Sequence, residues 1–110
     1  PEVAVDSIGA ASRDLLERSL AAYEAGDAAA CRAVADDDDE LDALCQRASE
    51  SVTRELIAGT DDDGWAVERR LDDVSRVLLT VRDLERVGDH AVNIAARTLY
   101  MVENDPELLY

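Results

Sequence analysis

The chain has 110 residues, enough for one domain with a modest core and too few for two. Its formal net charge is −15, from 26 acidic and 11 basic residues, and every base is Arg. A surface this negative repels nucleic acid and anionic membranes, which excludes both as direct partners of this segment. No apolar run approaches the ~20 residues that a membrane-spanning helix needs.

Hydrophobic residues make up 47 % of the chain, so composition does not predict disorder. That fraction leans on Ala, Leu and Val, with aromatics at 4 % and no Phe. Such side chains suit helix-on-helix packing better than a β-sandwich. The two prolines are Pro1 and Pro106, which leaves almost the whole chain free to be helical. The acids are spread along the whole sequence. That spread fits adaptation to a salty cytoplasm, where Asp-rich surfaces stay hydrated, better than a dedicated surface for a basic partner.

Taken in order, the first helix is predicted over about residues 3–25. Ile8, Ala11, Leu15, Leu16, Ser19, Ala22 and Tyr23 fall on one broad face. Gly26 is a good helix stop, and Asp27 a good N-cap for the next helix. The second helix is predicted over about residues 28–58. Its stripe is Cys31, Val34, Leu41, Cys45, Ala48 and Val52, in steps of three and four. One position is due between Val34 and Leu41, and Asp38 holds it; Asp42 follows one turn later. Asp36, Asp37 and Asp39, in the same acidic run, read as a solvated patch. Gly59 closes the helix, and Thr60 to Gly64 reads as a loop that caps the third helix.

The third helix is predicted over about residues 64–103, with Trp65 as a packing residue at its start and Asn104-Asp-Pro as its stop. Its stripe is Val67, Leu71, Val74, Leu78, Val81, Gly88, Val92, Ala95, Leu99 and Val102. The position skipped is Glu85, and Asp89 lies one turn on, with Gly88 on the same face. A glycine there implies that something approaches the backbone closely.

The fold class expected is all-α, an antiparallel three-helix bundle with short connections. Cys31 and Cys45 sit 14 residues apart on one helix, ~21 Å along its axis, which is beyond disulfide reach. Both read as small core residues of a reduced, cytoplasmic protein. There is no basic-then-apolar leader pattern at the N-terminus.

Antiparallel packing of the second and third helices brings Asp38 and Asp42 to the height of Glu85 and Asp89. Four carboxylates there cannot all ionise without a counter-charge. Two readings stand: a divalent cation on oxygen ligands, or ion pairs from Arg82 and Arg86, each three residues before an acid. His90 reads as a surface group, and Asn93 as a hydrogen-bond partner one turn beyond Asp89. With one His, no Glu-x-x-His pair, no phosphate loop and no nucleophile elbow, nothing points to an enzyme.

The run Asp83-Leu-Glu-Arg-Val-Gly-Asp-His-Ala-Val-Asn-Ile-Ala resembles the signature of the PhoU family of phosphate-uptake regulators. The tail from Tyr100 to Tyr110 is similar to the C-terminal end of such proteins. The resemblance implies a three-helix repeat, usually one of two in a chain, so this is expected to be a single repeat: a single-repeat member, a dimer that rebuilds the two-repeat form, or the C-terminal half of a longer protein, which the tail favours. It also implies paired acids that bind multinuclear iron or zinc, matched here by Glu85 with Asp89 and by Asp38 with Asp42. The implied function is regulation of phosphate uptake by protein contacts with a phosphate transporter, or with its sensor kinase or regulatory system. A missing partner repeat would leave a helix face exposed for self-association, as a dimer. The alternative is a non-catalytic helical oligomerisation or interaction module attached to a transporter or channel.

Overall fold

The computed structural model describes the backbone of residues 2–58 and 64–104 and the side chains of 5–58 and 67–104. Three helices follow in order: α1 (Glu2–Ala25), α2 (Ala28–Ala58) and α3 (Gly64–Glu103). Each packs against the other two, in a rod of 60 × 21 × 15 Å. The 40 residues of α3 set that length, since a helix rises about 1.5 Å per residue. The expected all-α three-helix bundle is the fold observed.

The turn between α1 and α2 follows from two residues. Gly26 takes a left-handed φ of 64°, a region that favours glycine. The amide of Asp27 then donates to the Ala22 carbonyl at 3.0 Å and that of Gly26 to Tyr23 at 3.3 Å, which closes α1. The Asp27 carboxylate accepts from the Ala30 amide at 3.0 Å, which opens α2. At the same end of the bundle, Asn104 takes a φ of 57° and stops α3. The expected loop at Thr60–Gly64 and the packing of Trp65 lie outside the described residues or side chains.

The core is a seam of small and branched residues. Cys31, Val34, Leu41, Cys45, Ala48 and Val52 of α2 are all buried, as the stripe predicted. On α1 the buried line is Ile8, Ser12, Leu15, Ser19 and Ala22, in steps of four and three. Tyr23 is 55 % exposed, contrary to the expected face, because Ala22 takes the inward position and the next residue lies about 100° around the helix. On α3, Val81, Ala95 and Leu99 are buried, but Leu71 and Val102 are exposed. Val102 lies at the open end of the bundle beside Gly26. Leu71 belongs to a part of α3 near an open groove of about 820 Å³, whose walls include Val5, Val52, Leu56, Val74 and Val77.

Ser12 carries a polar link that the hydrophobic pattern passes over. Its hydroxyl lies 2.8 Å from the Ile8 carbonyl and 3.1 Å from that of Leu84, and so ties α1 to α3. Ser12→Ala should cost about 1 kcal/mol, read as a lower midpoint in urea unfolding. An unchanged or higher midpoint would show that the link contributes nothing.

The surface is charged, and three ion-pair contacts are seen among the described residues. Arg18 bridges Asp14 and Asp37, and Arg32 meets Glu103 at 2.6 Å. At net −15, repulsion between the remaining acids opposes compaction. Salt near 1 M cuts the screening length to about 3 Å, so the melting temperature should rise by roughly 5 °C or more over its value at low salt. A flat or falling melting temperature in sodium chloride would rule out this source of instability.

Candidate metal centre

Asp38 occupies the core stripe of α2 between Val34 and Leu41, and is 8 % exposed. Helical periodicity alone puts it there, since turning it outward would turn its apolar neighbours outward too. Asp42 projects one turn further along α2 and is half-buried, and Asp89 reaches the same point from α3 and is exposed at the rim. One carboxylate oxygen from each of Asp38, Asp42 and Asp89 lies within 4.8 Å of the others. Glu85 is half-buried beside them, with its carboxyl in hydrogen-bonding reach of Asp42.

The sequence singled out Glu85 as the buried acid of α3. The geometry gives the deepest position to Asp38 instead, and Glu85 stands outside the three-carboxylate cluster. Among the described residues, neither Arg82 nor Arg86 forms an ion pair with Glu85 or Asp89. The arginine reading therefore supplies no counter-charge. His90 and Asn93 are both exposed, and His90 stands outside the cluster.

The electrostatic consequence falls on the buried members. Burial pushes the Asp38 carboxyl up to about 6, and the charges of Asp42, Asp89, Asp39 and Glu85 push the same way. Glu85 is raised by burial first, then by its hydrogen bond to Asp42 and the charges of Asp42 and Asp89. Cys45, one turn beyond Asp42, is raised to about 11 by burial and by the same acids, so its thiol stays protonated near neutrality. Both cysteines are free and buried.

Asp38 Oδ1 is buried with no hydrogen-bond partner. An orphaned carboxylate oxygen inside a bundle is costly, and the arrangement around it fits a cation better than a proton alone. Two further carboxylates lie within reach, and all three supply the oxygen donors that divalent cations accept. Gly88 contributes as well. It is buried on the α3 face opposite Asp38, and in a helix interior it costs about 1 kcal/mol relative to alanine. A Cβ added there would meet Leu41 Cδ2 at 2.6 Å and Asp38 Oδ1 at 2.7 Å. The sequence signalled that approach; what it left unsaid is that a carboxylate makes it.

Fold and cluster together define an all-α module with a candidate carboxylate site for a cation between two helices. Comparison with known proteins takes the assignment further. The family model described as PhoU domain matches residues 5–98. The chain is 33 % identical over 100 residues to the phosphate-specific transport system accessory protein PhoU homolog of Pseudomonas aeruginosa, covering 91 % of this chain and 38 % of that protein. It is 32 % identical over 88 residues to PhoU homolog 1 of Methanothermobacter thermautotrophicus, covering 80 % of this chain and 36 % of that protein. No solved structure matches the chain. The chain belongs to the PhoU family, and it spans well under half the length of these curated relatives.

Proposed function

We propose that this chain regulates phosphate uptake by contacts with a phosphate transporter or its signalling system, in the cytoplasm and without catalysis. Membership of a family whose relatives are named accessory proteins of phosphate-specific transport supports the regulatory part. No described helix is long and apolar enough to cross a membrane, so contacts through the helical surface are the natural mode of action. In this reading the chain is one three-helix repeat of the family type, and its open apolar groove is covered by self-association or by a second repeat.

The second part of the proposal is a divalent cation, iron or zinc, held by Asp38, Asp42 and Asp89 with Glu85 alongside. The orphaned Asp38 Oδ1 carries this part: a buried, unpartnered oxygen on a carboxylate that clusters with two others is a ligand set without a counter-charge. The ion would tie α2 to α3 and fix the surface that the partner reads. The regulatory claim is tested by deleting the gene and measuring phosphate uptake under phosphate-replete growth, alongside affinity purification of the tagged chain. Raised uptake and recovery of transporter subunits are expected. Unchanged uptake with no transporter component recovered would overturn it.

A further inference from the structure

Gly88 and Asp38 meet where α2 and α3 come closest to the acid cluster. At Gly9, the other described helical glycine facing a neighbouring helix, an added Cβ would find its nearest atom, Leu84 Cδ1, at an ordinary 3.9 Å. At Gly88 the corresponding distances, 2.6 Å to Leu41 Cδ2 and 2.7 Å to Asp38 Oδ1, mean that both side chains must shift before a Cβ fits. The leucine is a flexible end and could yield by a rotamer change. The carboxylate has a different constraint, because its orphaned oxygen is the one lying against the glycine. Moving that oxygen away from α3 moves it relative to Asp89, which follows Gly88 directly, and to Asp42.

We infer that Gly88 is a positioning residue for the cation site: its bare backbone lets the Asp38 carboxylate lie against α3 at the height of Asp42 and Asp89. The inference rests on the cation reading above. It assigns to the glycine a role in affinity that is separable from helix packing. Groups that orient metal ligands without touching the metal change affinity about 10–100-fold when altered, and the same scale is expected here.

The test is zinc titration by calorimetry on the whole chain, with circular dichroism and thermal melting as checks on folding. Leu41→Val shortens the leucine and removes its clash, so it serves as the background. Leu41→Val should bind zinc about as tightly as the unaltered chain. The double variant Leu41→Val/Gly88→Ala should stay folded and bind at least about tenfold more weakly. In a chain carrying Leu41→Val and Asp38→Ala, adding Gly88→Ala should leave the residual zinc affinity unchanged. If the double variant binds as tightly as Leu41→Val, the role of Gly88 is overturned and the cation site stands. A double variant that no longer folds would also overturn it, since the claim is that only the carboxylate is displaced once Leu41 is shortened. If the unaltered chain binds neither zinc nor ferrous iron in the same titration, the cation reading falls and this inference falls with it.

Discussion

Replacing Asp38 with asparagine should make the cation-free protein more stable at about pH 7.5, by roughly 1–3 kcal/mol. The reason is the sign of the electrostatics. The Asp38 carboxyl titrates near 6 in the folded chain, against an ordinary value of 3.8. Between those values the folded state holds a proton that the unfolded state has released. Stability is therefore full with respect to this group below about pH 4, falls as pH rises through 6, and stays at the lower level above it. Asparagine keeps the shape, cannot ionise, and so lacks that slope. Its amide is also buried without an obvious partner, which offsets some of the gain. Urea unfolding at about pH 5 and 7.5 checks both the gain and the missing slope. The same substitution should weaken cation binding by about 100-fold or more, because a charged ligand is lost. A variant less stable than the parent at the higher pH would contradict the reading of Asp38 as an uncompensated buried acid.

A cation should do by binding what asparagine does by subtraction. An ion at a hundred times its dissociation constant stabilises the state that binds it by about 2.7 kcal/mol. For a domain of this size that raises the melting temperature by roughly 10 °C. The gain should be largest above about pH 7 and shrink on acidification, since a proton must leave Asp38 before the ion can enter. From about pH 7.5 to 5 the apparent affinity should fall roughly tenfold through Asp38 alone. Glu85 is raised for the same physical reasons and works in the same direction. Thermal melts with and without manganese or zinc at the two pH values are the check. A melting temperature indifferent to the ion, or a larger shift at the acid pH, would contradict the site.

These outcomes follow from a bundle that is legible in its residues, for reasons that differ from helix to helix. The α2 stripe was readable in full because each step of three or four lands on an apolar residue except one, and that one is Asp38. The α1 to α2 turn was readable because Gly26 and Asp27 each have a single sterically or chemically favoured use. The ends of the stripes were not. Leu71 and Val102 carry apolar side chains in helical register but face solvent, because periodicity says which side of a helix is apolar and not how far the neighbouring helix extends. Ser12 was missed because a serine breaks an apolar pattern, although its hydroxyl is satisfied by two backbone carbonyls.

The acid cluster was half legible. Spacing alone put Asp38 and Asp42 on one face and Glu85 and Asp89 on another. The height and facing of one helix against the other decide which of the four reach a common point, and pattern counting does not resolve them. Glu85 and Asp89 lie about 40° apart around α3 and about 6 Å apart along it, and Asp89 is the α3 member of the cluster. Gly88 offered the signal: the residue whose side chain must be absent marks the line of closest approach, and Asp89 stands next to it.

The most direct measurement is a crystal structure of the chain grown with manganese or zinc, with anomalous scattering used to locate the ion. The account predicts one strong anomalous peak between α2 and α3, within bonding distance of carboxylate oxygens from Asp38, Asp42 and Asp89. Asp38 Oδ1 should be among the atoms it touches. Anomalous density only on the outer surface, with Asp38 still buried and unpartnered at saturating ion, would contradict it.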